Sequence, residues 1–157
     1  MDIRVAQARW PQDGATVEAL FREYVASLGV DISFQNVDEE LSDLPGKYAR
    51  PGGLVLIAWD GAQAAGAVAY RMFRPGVAEM KRLYVRPAFR GRDIGRKLAS
   101  DLIADARAQG YRSMLLDTLA TMQAARKLYA ELGFQPVAAY YENPLPDTMY
   151  MALALGK

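Results

Sequence analysis

The chain has 157 residues, 52% of them hydrophobic and 24% charged, with 19 Lys and Arg against 18 Asp and Glu. That balance fits one globular domain spanning 1–157 and excludes a disordered chain. A net charge of +1 disfavours a nucleic-acid coat, and the absence of Cys and His excludes disulfides, thiolate chemistry, Cys/His metal sites and a Ser-His triad.

Residues 3–9 (IRVAQAR) alternate apolar and polar, as a half-buried strand does. After Trp10-Pro11, the apolar positions Val17, Leu20, Phe21, Tyr24, Val25 and Leu28 predict a helix over 13–28, closed by Gly29. A short helix over 37–44 ends at Pro45. The run LVLIAW (54–59) reads as a buried strand, and Asp60-Gly61 turns it into a partner over 64–73. Pro75-Gly76 leads to a third strand over 77–85, which completes an antiparallel meander. Ile94, Leu98, Leu102, Ile103 and Ala106 line one face of a helix over 94–108, with Gly110 at its end. A strand over 113–117 follows. A helix over 121–132 places Ala125, Leu128, Tyr129 and Leu132 inward and is capped by Gly133. Strands near 135–140 and 148–155 close the chain. The fold class is mixed α/β (α+β), with strands outnumbering helices.

No apolar stretch approaches the about 20 residues of a membrane span, and MDIRVAQARW lacks a basic region followed by an apolar run. The expectation is a cytoplasmic chain without a membrane segment.

Positive charge is clustered. Lys81, Arg82, Arg86, Arg90, Arg92, Arg96 and Lys97 are offset locally only by Asp93. A strand ending at Val85, a glycine-containing loop and a helix starting near Ile94 form a strand–loop–helix unit. Loop amides converge at such a junction, and the helix N-terminus adds about half a positive charge. Gly91 and Gly95, lacking a Cβ, let a phosphate approach the backbone, and neighbouring arginines can add paired hydrogen bonds. An Arg-rich solvated turn is the competing reading. GxxxxGK[ST] and GxGxxG are both absent.

Arg90-Gly91-Arg92-Asp93-Ile94-Gly95 matches [Q/R]-x-x-G-x-[G/A], with Asp93 in place of the first glycine. Ala125, Leu128, Tyr129, Gly133 and Phe134 match A-x-x-L-Y-x-x-x-G-F. With these two motifs in register, the chain resembles the GNAT superfamily of N-acetyltransferases over essentially its whole length. The resemblance implies a central, mostly antiparallel twisted sheet of about seven strands flanked by about four helices. It implies acetyl-CoA as co-substrate, no metal, and transfer of the acetyl group to an amine. The amides of Arg90, Gly91, Arg92, Asp93, Ile94, Gly95 and Arg96 would hold the pyrophosphate. The backbone around Leu83, Tyr84 and Val85 would pair with the pantetheine arm, and Leu83 N–H would serve as an oxyanion donor. Asp93 is expected to point to solvent or to cap the helix, and it tolerates positive φ better than most residues.

Tyr129 matches the position that protonates the departing thiolate, its alternative being an inward helix residue. Glu79 matches a strand carboxylate that serves as base in one branch, its alternative being a plain outward strand residue. Met122 stands where many relatives carry Asn. Tyr24, Phe34, Met72, Tyr140 and Tyr141 are the candidate acceptor-pocket residues, and Glu142 is either a partner for a cationic acceptor or a solvated charge. The expected partner is a small-molecule primary amine, with no nucleic acid and a homodimer through the late strand. A protein acetyltransferase and a non-catalytic CoA-binding module are the rivals.

Overall fold

The computed structural model describes residues 2–32 and 35–156. Seven strands form one sheet: β1 (Ile3–Gln7), β2 (Leu54–Asp60), β3 (Gln63–Arg74), β4 (Val77–Val85), β5 (Ser113–Leu119), β6 (Gln135–Val137) and β7 (Thr148–Ala154). Their order across the sheet is β1-β2-β3-β4-β5-β7-β6, and every neighbouring pair is antiparallel except β4–β5. The helices are α1 (Gly14–Ser27), α2 (Val37–Ser42), α3 (Ile94–Ala108) and α4 (Gln123–Glu131). The expected meander is present as β2-β3-β4.

Both faces of the sheet are covered, which is why LVLIAW reads as a continuous apolar run. Leu54, Leu56 and Ala58 face α3, packing with Leu98, Leu102, Met80, Met114 and Leu116. The alternate residues Val55 and Ile57 face α1 and meet Val17, Leu20, Phe21 and Tyr48. Leu20 and Phe21 are fully buried, each contributing about 1.5–3 kcal/mol by removal from water.

Of the boundaries that differ from the sequence reading, two bear on the site. The late strand expected near 135–140 stops at Val137, and Tyr140 and Tyr141 leave the sheet edge to hydrogen-bond elsewhere. Pro136 has no N–H to donate and sits on that edge strand, where the loss is tolerated. Helix α4 starts at Gln123, because Met122 and Gln123 donate instead to the turn carbonyls of Leu119 and Thr121. Its end is as expected: Gly133 has φ +102°, and Phe134 N–H closes on Tyr129 O at 3.0 Å.

Candidate active site

The site begins with a failure of pairing. β4 and β5 match at only three positions, Val77–Ser113, Ala78–Met114 and Glu79–Leu115, and beyond these they diverge. On its other edge β4 carries a bulge: Ala69 pairs with Lys81, but Ala67 pairs with Tyr84, so Arg82 and Leu83 together oppose Val68. Arg82 sits at φ +64°, a left-handed conformation uncommon for a side-chain-bearing residue. Its buried guanidinium is held by Glu40 (Nε–Oε2 and Nη2–Oε1, both 3.2 Å) and by Gln35 Oε1 (3.0 Å). The clamp therefore fixes the bend that turns β4 away from β5.

The resulting cleft is lined by Met80, Lys81 and Leu83 from β4, by Leu116, Asp117 and Thr118 from β5, and by Tyr24, Met122, Tyr129, Asn143 and Thr148 around them. The buried Thr148 hydroxyl has no hydrogen-bond partner among the described residues. An unmet polar atom in an open cleft marks a place for a ligand or water.

At the far end of β4 a single 3-10 turn (Pro87–Phe89) leads to Gly91 at φ +83° and Asp93 at φ +62°. The first α3 bond runs from Lys97 N–H to Asp93 O, and no helical carbonyl precedes the amides of Ile94, Gly95 and Arg96. Asp93 takes the solvent alternative. Its side chain is 77% exposed, makes no capping bond and lies 3.4 Å from Arg96. Ile94 buries its side chain in the core, and a Cβ on Gly95 would touch Leu128 and Val85 at ordinary distances of 3.7 and 3.8 Å.

Most of the clustered positive charge is neutralised, five of the seven cations meeting carboxylates. Arg82 binds Glu40, Arg86 binds Glu23, Arg92 binds Asp60, Arg96 binds Glu131, and Lys97 approaches Asp101. Carboxylates distant in sequence supply the neutralisation, which a local count of charge cannot register. Arg90 donates from Nε to Val85 O at 3.0 Å. Tyr84 turns to the α1 face, where its ring meets Tyr24 edge-on and its hydroxyl lies 3.3 Å from Glu23.

Tyr129 lines the cleft, edge-on to Phe134 at 5.8 Å, and burial pushes its hydroxyl pKa upward. Such a hydroxyl stays protonated and can donate. Glu79 is neither an outward residue nor a cleft wall. It is 1% exposed, Oε1 accepts from Arg71 Nε (2.9 Å) and Nη2 (2.8 Å), and Oε2 accepts from the Tyr140 hydroxyl at 2.7 Å. Both oxygens are engaged at the last paired position before the strands part.

Among the acceptor candidates, Tyr24 lines the cleft, with its hydroxyl pKa pushed up to about 12 by burial; Arg82 opposes the shift and Asp117 adds to it. Tyr140 and Tyr141 reach the same end from the β6–β7 loop and pack with Tyr150 and Phe73. Tyr141 donates to Asp117, and Asn143 Nδ2 donates to Tyr141 at 2.7 Å. Met72 is not part of this group. Strand alternation puts it on the α3 face with Val68 and Tyr70, 48% exposed beside Gly110 and Tyr111. Glu142 is exposed, consistent with a solvated loop charge. Phe34 lies outside the described residues.

Sequence reasoning missed Lys81, Asp117 and Asn143 as cleft residues. Period-2 alternation puts Lys81 on the face of Glu79, and Asp117 on that of Leu115. The missing information was where along the two strands the parting begins. Met122 receives a hydrogen bond from Thr118 Oγ1 on Sδ at 3.7 Å.

Among the described residues no helix is long and apolar enough to cross a membrane. The profile of the acetyltransferase (GNAT) family matches residues 17–134. An uncharacterized N-acetyltransferase of Schizosaccharomyces pombe is 42% identical over 99% of this chain and 97% of its own length. The N-acetylaspartate synthetase of Danio rerio is 31% identical over 68% of this chain but only 39% of its own. YncA of Salmonella typhimurium, solved with its cofactor acetyl-CoA, superposes with a TM-score of 0.77 at 24% identity, covering 99% of this chain and 95% of that one. The motifs, the parted strands and the whole-length relative agree, and this chain belongs to the GNAT family of acetyltransferases.

Proposed function

We propose that this chain transfers the acetyl group of acetyl-CoA to the primary amine of a small molecule. The observation that carries the reading is the cleft between the parted β4 and β5, walled by Tyr129 and, from the β6–β7 loop, by Asn143 and Leu145, with the amide-rich start of α3 following the far end of β4.

The residues present fit the co-substrate. Unsatisfied N–H groups around Asp93–Arg96 suit a pyrophosphate, and the β4 edge freed beyond Glu79 suits an amide-bearing arm laid beside it as an extra strand. Acetyl-CoA supplies a reactive thioester. Leu83 N–H, on the bulge, is the candidate donor to the oxygen that becomes negative in the transition state. Because both Glu79 oxygens are occupied, we assign the acceptor proton to Asp117, whose carboxylate lines the cleft. In the balanced step the acceptor ammonium first gives one proton to water, the freed nitrogen forms the C–N bond and Asp117 takes the second proton. The C–S bond breaks and Tyr129 protonates the sulfur, its own proton being restored through solvent as Asp117 releases the one it took. Glu79 then has a positioning role, holding Tyr140 at the acceptor end. The ion-paired state of the loop arginines supports a small anionic ligand held mainly by backbone donors rather than a nucleic-acid surface.

Two measurements test this. Calorimetry should register coenzyme A binding, and thiol release should appear when acetyl-CoA is mixed with a panel of small primary amines. Binding without release for any small amine, but with release on peptides, would replace the small-molecule reading by protein acetylation. Binding without any release would leave a CoA-binding module.

A further inference from the structure

Glu79 and Leu115 form the last paired rung between β4 and β5. Two residues further along each strand, on the same face, come Lys81 and Asp117. In an unparted sheet these opposite charges would meet. Here the strands have diverged, no ion pair joins them, and both side chains line the cleft. The neighbouring cations are committed elsewhere: Arg82 to Glu40, and Arg71 to Glu79. Among the described residues the one hydrogen-bond partner of Lys81 is the neutral Gln35 Oε1, at a long 3.5 Å. Burial holds the Lys81 ammonium below its usual range, with Arg82 adding to the effect and Glu79 and Asp117 pulling the other way. A half-buried ammonium with no carboxylate in contact is only partly compensated, and an incoming anion would complete the compensation.

We propose that the acceptor is an α-amino acid or a similar small amino-carboxylate, its carboxylate bound by Lys81 and its amino group by Asp117. This narrows the N-acetyltransferase reading and rests on it. The two charges of a zwitterion fill the gap between the two charges of the protein, and the amino group is thereby placed on the β5 side, next to its proton acceptor. A simple alkylamine would satisfy Asp117 and leave Lys81 only partly compensated. Tyr24, on the α1 side of the cleft, walls the pocket.

The test compares each common α-amino acid with its own carboxamide, at equal free-amine concentration, by thiol release from acetyl-CoA. For the preferred side chain, kcat/KM should be about tenfold to a hundredfold higher for the carboxylate, the span of a charge-assisted contact. Lys81→Gln should abolish that preference through KM while sparing turnover of the carboxamide, and Lys81→Arg should restore part of it. Equal rates on acids and carboxamides would overturn the inference and leave the acetyltransferase reading standing, as would a Lys81→Gln loss shared equally by both. No thiol release with any acid, carboxamide, alkylamine or peptide, while coenzyme A still binds, would overturn the acetyltransferase reading and the inference together; release with alkylamines alone would overturn only the inference. The acid-against-carboxamide comparison uses the unaltered protein and does not depend on whether the variants fold.

Discussion

Replacing Glu40 by Gln removes one negative charge and almost no volume. Glu40 grips Arg82 through two contacts of 3.2 Å and Lys47 through one of 3.1 Å. The Arg82 and Glu40 side chains are 2% and 6% exposed, so neither is screened by water, whereas Lys47 at 40% loses little. The substitution strands a buried guanidinium with only Gln35 and a neutral amide, at a cost of about 3–5 kcal/mol. That is a large fraction of the about 5–15 kcal/mol that holds a domain together. For a chain of this length it lowers Tm by about 6–20 °C. Arg82 also occupies a strained φ of +64°, itself costing about 1–3 kcal/mol, so without its anchor the bulge relaxes and coenzyme A affinity falls as well. Urea denaturation gives the first quantity and calorimetry the second. Acid provides an internal control. Burial raises the Glu40 pKa, but Arg82 and Lys47 outweigh it and hold the carboxyl below its usual range. A carboxyl lowered on folding stabilises above its unfolded pKa, about 4.3, and loses that contribution as pH falls through its folded value. The gap between parent and variant must therefore begin to narrow as pH falls below about 4.3 and close once pH is below the folded value. A variant within about 1 kcal/mol of the parent at neutral pH, or an unchanged gap in acid, would refute the clamp.

Two further substitutions separate chemistry from architecture. Tyr129→Phe should lower kcat by about 10²–10⁴ with little change in coenzyme A affinity, and an unchanged kcat across the pH range would remove Tyr129 as the acid. Gly66→Ala places a Cβ 2.4 Å from the Tyr84 carbonyl, on backbone that cannot swing aside, so β4 must shift. The expected loss is about 1–3 kcal/mol of stability, with weaker coenzyme A binding; a variant as stable as the parent would mean that β4 yields freely there.

Much of the scaffold was legible because its signals are local. Asp60-Gly61 announced the β2–β3 turn, the stripe from Val17 to Leu28 announced α1, and Gly133 closed α4 where it was expected. The amide-rich turn before α3 was readable for the same reason. The acceptor end was not. Met72 looked like a pocket residue until strand parity put it on the opposite face. Glu79 looked like a free carboxylate until Arg71, eight residues away, and Tyr140, sixty-one away, were found on it. Lys81 and Asp117 face an open cleft instead of each other because the bulge at Arg82 bends one strand from the other, and Arg82 is held by Glu40, 42 residues away in sequence. No local window contains those facts.

Only three rungs tie β1–β4 to β5–β7–β6. The start of α3 follows directly from β4, whereas α4, bearing Tyr129, springs from β5. In the proposed reaction donor grip and proton delivery therefore lie on opposite sides of a seam, joined across it by the Arg96–Glu131 pair, and a slight tilt of one side against the other would change their separation. Remote packing changes, well away from any ligand, can therefore retune turnover by altering how wide that seam stands.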